Sequence, residues 1–238
     1  MPYSAPADNI VGEIVRATTI EFVAHCPDKY LYDPPRFGAF VKTPHTLVSP
    51  SASPETQTEM QEEEDPFAEA VPVRARLSEG DAEGTIYAVV CYAETLSAEP
   101  GRNPSPFGML ADTLAKEHPQ LPELLSTEFS ALHLGFAQKG RFRPYLPPKP
   151  ARLHAFVSYC TREEIIAITE TPDYLRTLLN FTATAGSDEL IAASVRAAFE
   201  ARENDFEYLV SSGKQLASLL RDSPDRLSAL LRKLDPEG

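Results

Sequence analysis

The chain has 238 residues, 42% of them hydrophobic and 9% aromatic, which is enough apolar material for one large domain or two small ones. Its formal net charge is −13, and the basic excess that a non-specific binder of phosphate backbone would carry is absent. Seven carboxylates between Ser51 and Ala70, with no Lys or Arg among them, supply about half of that charge, so the remainder of the chain is only mildly acidic.

Met1 to Asn9 reads as a Pro-containing lead-in without a basic stretch or an apolar run, so no secretory signal is expected. From Ile10 the pattern is that of strands. Ile10, Gly12 and Ile14 are expected on one face and Val11, Glu13 and Val15 on the other. A turn at Ala17-Thr18-Thr19 leads into a second strand over Ile20 to His25, rich in β-branched and aromatic residues. Asp33-Pro34-Pro35-Arg36 is a stiff connection into a third strand, Phe37 to Thr43. Gly38 at its start predicts a bulge or a tight corner where the backbone bends or is closely approached. Residues 44–66 hold the acidic, Ser/Thr/Pro-rich stretch, with too few apolar groups to offset the entropy of ordering; a mobile loop is expected, with Phe67 as an anchor near its end. Val71 to Leu77 alternates apolar and basic residues as a strand with one wet face does, and Ser78 to Gly84 reads as a turn. Thr85 to Thr95 is the most apolar strand of this half. A Pro/Gly/Asn-rich loop, Ser97 to Pro106, then closes what reads as a first unit, residues 1–100.

A middle segment, 101–160, is predicted to contain a helix over Phe107 to Lys116 and a short helical turn at Pro122 to Ser126. A hairpin of Phe129–Gln138 with Arg141–Tyr145, closed at Lys139-Gly140, should follow. Next come a Pro-rich extended connector, Leu146 to Pro150, and a strand over Leu153 to Cys160. Beyond Thr161 the hydrophobic period becomes helical and stays so, predicting a helical domain over 161–238. Thr161 with Glu164 forms a capping box. Thr171-Pro172 and Ser223-Pro224 each place an N-cap before a proline at the first helical position. A helix from Ser187 should bury Leu190, Ile191, Val195, Ala198 and Phe199. The next, over Asp205 to Arg221, should bury the stripe Phe206, Leu209, Val210, Gly213, Leu216, Ala217 and Leu220, and Leu227, Leu230, Leu231 and Leu234 extend the pattern. The predicted fold class is α+β: a small antiparallel barrel of about six strands, a middle helix and hairpin, and a C-terminal helical bundle.

The motifs that carry chemistry fail one by one. Gly135 to Gly140 has the glycine spacing of a phosphate loop but lacks the Lys and the following hydroxyl, and it falls in a hairpin. Gly213-Lys214 lacks the first glycine, which is Tyr208, and lies within a helix. His25 and Cys26, adjacent on a strand, point to opposite faces and do not share an ion, while His118, His133 and His154 lie on different elements. Glu163 and Glu164 fit first-turn helix residues favoured by the macrodipole. No serine elbow or Cys/His arrangement stands out, so no catalytic, cofactor-binding or metal-ligating residue is assigned and no cofactor is expected. Cys26, Cys91 and Cys160 have no paired spacing, and no run reaches the ~20 apolar residues of a membrane helix, so a reduced cytoplasmic protein is expected.

Three pieces together carry a resemblance: Gly12 to Phe22 (GEIVRATTIEF), Phe37 to Lys42 (FGAFVK) and Ile86 to Val90 (IYAVV). They resemble the HAS barrel, the small β-barrel at the N-terminus of HerA-type DNA-translocating ATPases and of the ATP synthase α and β subunits. That family's pattern is a glycine-led strand, a Thr-rich turn into a second strand, a G-x-[FY]-V strand and a closing G-x-V strand; here Ala88 stands in the last glycine's place. The likeness spans Ile10 to Leu96, and Leu146 to Pro150 is similar to the Pro-rich link that precedes the ATPase core. No Walker sequence follows, so ATP hydrolysis is not implied. What the resemblance does imply is a barrel that holds subunits together or offers a docking surface: a non-enzymatic assembly or adaptor protein. Its expected partner is itself, as a homo-oligomer for which a hexameric ring is one form, or a HerA-like ATPase or nuclease. The competing expectations are a nucleic-acid-binding barrel using Tyr87, Tyr92, Arg74 and Arg76, and an enzyme with an unrecognised site.

Overall fold

The computed structural model describes residues 9–46, 83–99, 101–138, 140–181 and 186–234. Among these residues seven strands form one antiparallel sheet: β1 (Ile10–Ala17), β2 (Glu21–His25), β3 (Phe40–Thr46), β4 (Glu83–Ser97), β5 (Leu125–Gln138), β6 (Arg141–Arg143) and β7 (Phe156–Tyr159). Their order is β2-β1-β7-β3-β4-β5-β6, and an additional β2–β5 pairing closes six of them into a barrel, with β6 attached outside the ring on β5. Between β4 and β5 lies α1 (Ala111–Glu117). The C-terminal region follows β7 as α2 (Arg162–Ile168), α3 (Asp173–Leu179), α4 (Ser187–Glu200), α5 (Phe206–Leu219) and α6 (Pro224–Lys233). The α+β architecture, barrel first and helices last, is the one read from the sequence. The strand expected at Val71 to Leu77 and most of the acidic loop lie outside the described residues.

The barrel does not end near residue 100. β5 pairs with both β4 and β2, and β7 with both β1 and β3, so the segment expected to stand between two domains provides two of the six staves. These pairings join strands far apart in sequence, for which local alternation carries no signal. β1 departs from strict alternation as well. Register shifts between Ile10 and Gly12 and between Ile14 and Arg16 turn both Val11 and Ile14 into the interior and leave Val15 exposed. A bulge adds one residue to one strand and so reverses which side chains face in.

Two cores result. Inside the barrel pack Val11, Ile14, Phe22, Val41, Ile86, Val90, Phe129 and Val157. On its outer face Phe40, Val89, Cys91, Leu132 and Leu134 pack against helix residues including Tyr174, Leu178, Ile191, Val195 and Leu216. Neighbouring residues of β3, β4 and β5 (Phe40 with Val41, Val89 with Val90, Ala131 with Leu132) are thus buried on opposite faces, which explains why these strands read as nearly continuous apolar runs. Gly38 makes the junction possible. Its φ is +84°, and α4 passes so close that a Cβ there would lie 2.5 Å from Ala193 Cβ.

In the helical region the capping box at Thr161 and Glu164 is formed as read. α3 starts one residue later than expected, with Pro172 itself as N-cap. Part of the stripe read on α5 is formed, with Leu216 and Leu220 buried and Leu209 and Gly213 half-buried, whereas Phe206 (62% exposed), Val210 and Ala217 face outward and Ser212 is buried in their stead. The inward face is shared with a polar hub. Tyr208 bonds the buried Tyr174 hydroxyl at 2.5 Å, and the Arg202 guanidinium lies 4.1 Å from the Tyr208 ring. Arg202 also donates to Thr169 Oγ1 (2.8 Å) and to the carbonyls of Ala198 and Ile166, tying the ends of α2 and α4 to α5. The helix expected from Phe107 begins only at Ala111, because Gly108 adopts φ +67°, which a right-handed helix does not accommodate.

Candidate functional site

β4 and β5 are the longest strands, and their ladder outruns the barrel. β3 accompanies β4 only as far as Val89, while the β4–β5 pairing continues to Ser97 opposite Leu125. The overhanging ribbon is fastened near its outer end by threonines. Thr127 Oγ1 donates to Leu31 O at 2.6 Å, so its single proton is spent and Thr95 Oγ1, 2.7 Å away, donates to it. At its tip the ribbon carries an arm, residues 98–124, containing α1 and a 3-10 turn at Leu121–Leu124. Residues 101–110 are all exposed. Phe107, Met109, Leu110 and Leu124 all present apolar side chains to solvent, Leu110 at 81% exposure, and Leu96 does the same on the ribbon. The Phe107 ring lies 4.7 Å from that of His118 and lines a small cleft with Ser97, Leu121, Leu124 and Leu125 at the end of the ribbon.

A second candidate is a cleft of about 550 Å³ where barrel and helices meet, lined by Arg36, Phe37, Tyr159, Arg162, Arg196 and Glu200 among others. Two of its three guanidiniums are engaged in fastening helix ends: Arg162 donates to Ala201 O (2.8 Å) and pairs with Glu203, and Arg196 donates to Lys233 O. The cleft reads as a packing seam. Beside it, Lys42 of β3 bonds both Glu164 oxygens at 2.7 Å, and Tyr87 of β4 donates to Glu164 at 3.3 Å. Glu164 is therefore more than the helix-start residue inferred from sequence, since it latches α2 to two barrel strands. Only the capping half of that role has a local signature; Lys42 is 122 positions away. Glu164→Gln, which can still complete the capping box, should cost about 1 kcal/mol through loss of the charged pair, and Glu164→Ala about 2 kcal/mol, in urea unfolding. Equal costs for the two would refute the dual role.

The residues singled out from sequence are dispersed. His25 Nδ1 lies 3.0 Å from Ser126 Oγ, and Cys26 is buried in the barrel, where desolvation pushes its thiol up to about 11. His154 pairs with Glu13 on the surface at 2.7 Å, and His133 is inside the barrel. Cys91 is likewise buried and pushed up to about 12, and Cys160 is pushed up further by burial and by Glu164. Among the described residues no three His, Cys, Asp or Glu side chains converge as a metal-binding group. Of the residues proposed to stack on nucleic acid, Tyr87 is committed to Glu164 and to the Phe142 ring at 5.8 Å, so it is not a free platform. Tyr92 is exposed but bonded to Glu94 at 3.0 Å, and Arg74 and Arg76 lie outside the described residues. Gly135 to Gly140 falls at the β5–β6 hairpin and Gly213 within α5, as read. Among the described residues no helix is long and apolar enough to cross a membrane. No family model matches the chain, and no curated protein sequence matches it.

Proposed function

We propose that the chain is an assembly or adaptor protein whose HAS-like barrel joins copies of itself or docks them on a partner such as a HerA-like ATPase or nuclease. The observation that carries this reading is the arm: Phe107, Met109, Leu110 and Leu124 are all exposed on the segment that joins the outer ends of β4 and β5. Apolar side chains gathered on a projecting surface favour burial against another protein. Exposed Phe206, Val210 and Leu231 on α5 and α6 offer a second such surface.

Size-exclusion chromatography with light scattering tests the proposal. The wild-type chain should elute as an oligomer, and Phe107→Ser with Leu110→Ser should shift it at least tenfold toward monomer, the equivalent of ~1.4 kcal/mol. A strict monomer that also captures no ATPase or nuclease partner would end the adaptor reading. Single-strand binding that weakens steeply with salt would replace it by the nucleic-acid reading.

A further inference from the structure

We infer that the outer edge of β4, from Ala93 to Ser97, pairs antiparallel with the same edge of a second copy across a twofold axis centred on Thr95. This rests on the assembly reading and gives it a specific surface.

The open edge follows from the ladder. Cys26 N–H bonds Thr127 O and His133 N–H bonds Ile20 O, so the odd residues of β5 turn their backbone groups toward β2. The even residues of β5 therefore face β4, and their partners there are Tyr92 (opposite Ser130), Glu94 (opposite Glu128) and Leu96 (opposite Ser126). Ala93, Thr95 and Ser97 consequently direct both N–H and C=O away from β5. Nearer the barrel, Val90 uses the same edge, exchanging bonds of 2.9 and 2.8 Å with Ala39 and Gly38. Past Val90, among the described residues, no strand pairs with this edge and no hydrogen bond falls on the backbone of Ala93 or Thr95.

Exposed strand edges are ordinarily blunted by Lys, Pro or inward charges. The stretch Tyr92-Ala-Glu-Thr-Leu-Ser97 has no Pro and no basic residue, and Glu94 is its single charge. A second copy fits it in one register. Centring on Thr95 sets Ala93 opposite Ser97 and Thr95 opposite itself, so every outward residue exchanges two hydrogen bonds within the strand. Glu94 then lies opposite Leu96. Centring on Glu94 would oppose two carboxylates, which is destabilising; centring on Leu96 would leave Ala93 to pair beyond the strand's end. The favoured register also sets the root of each arm, Ala98, opposite Tyr92 of the other copy, which brings the exposed apolar groups of the arms toward the interface.

The test uses the full chain. Ala93→Pro deletes an outward N–H without touching the β4–β5 ladder, a substitution an edge strand accepts. It should convert a wild-type dimer to monomer in light scattering while the circular dichroism spectrum is unchanged. Thr95→Cys should form an interchain disulfide on mild oxidation, since its Cα atoms would be about 5.5 Å apart. Ala93→Cys, displaced from its own copy along the strand, should not. The native cysteines are all buried, so the introduced thiol is the reactive one. If the wild type is oligomeric but Ala93→Pro stays so and Thr95→Cys does not cross-link, the edge inference fails while the assembly reading stands. If the wild type is monomeric the edge inference fails outright, and partner capture alone decides the assembly reading. Should Ala93→Pro lose its native spectrum, the Thr95→Cys and Ala93→Cys pair decides.

Discussion

Gly38→Ala should cost about 3 kcal/mol or more and Gly38→Val should leave little folded protein, whereas Gly140→Ala should cost only about 1 kcal/mol. The two glycines have nearly the same backbone, φ +84° and +71°, so both substitutions incur the ~1–2 kcal/mol that an L side chain pays in the left-handed region. They differ in their surroundings. Nothing lies within 4 Å of a Cβ at Gly140, while one at Gly38 would meet Ala193 Cβ at 2.5 Å, Ala193 C at 2.7 Å and Ser194 N at 2.9 Å. Two of those three atoms are helix backbone and cannot step aside without moving α4. Gly38 cannot retreat either, since its N–H is bonded to Val90 O at 2.8 Å and the next turn of chain begins β3. The collision is therefore relieved only by parting β3 from β4 or by lifting α4 off the barrel. Urea denaturation of the three variants reads the difference, and equal costs at Gly38 and Gly140 would show that the contact with α4 is not a rigid one. Ala193→Gly in the Gly38→Ala background removes the Cβ–Cβ clash but not the backbone contacts, so it should restore only part of the loss.

Gly38 also marks where sequence reading succeeds and where it stops. A glycine between a Pro-rich turn and an apolar triplet signals a bent or closely approached backbone, and it is both; that the approaching element is a helix 155 positions later is not written nearby. The same division runs through the molecule. The Thr161–Glu164 capping box was legible because both partners sit within one turn, while the Lys42 and Tyr87 bonds to the same carboxylate were not. Barrel closure by β2 with β5 has no local signature, so the barrel's pattern in the sequence stops near residue 100. On α5 the hydrophobic stripe locates Leu209, Leu216 and Leu220 but extends too far toward Phe206, Val210 and Ala217, because Tyr208 and Ser212 share the inward face through polar contacts that hydrophobicity does not register. For the candidate surface the limit is one of geometry. Alternation along β4 tells which face a side chain takes, but whether the strand's edge is paired depends on how far β3 runs beside it.

Lowering the pH from 7 to 5 should cost the wild-type chain about 2 kcal/mol through His133 alone, before its carboxylates protonate. His133 is fully buried inside the barrel, its ring 5.7 Å from that of Phe22. Its Nδ1 lies 3.0 Å from Thr19 O, which only accepts, so Nδ1 carries the proton and the ring is neutral; Nε2 has no hydrogen-bond partner among the described residues. Desolvation holds its pKa down to about 4, against 6.5 for the free group, and nearby His45 reinforces the shift. His45 is itself buried, its Nε2 without a partner among the described residues, and is lowered by burial and by Lys149, so charging either ring makes charging the other harder. Above pH 6.5 both folded and unfolded chains hold His133 neutral and stability is at its full value. As pH falls below 6.5 the unfolded chain takes up a proton that the folded barrel refuses, and stability declines until about pH 4, where the loss levels at about 3 kcal/mol. His133→Leu would forgo the Thr19 hydrogen bond, so it should be about 1 kcal/mol less stable at pH 7. Its stability should nevertheless change less between pH 7 and 5, and the two curves should converge or cross. Urea unfolding at half-unit pH steps over that window measures both slopes. Parallel curves would mean that the barrel opens to water around His133 instead of keeping it neutral, and the interior would then have to be regarded as accessible to small polar ligands.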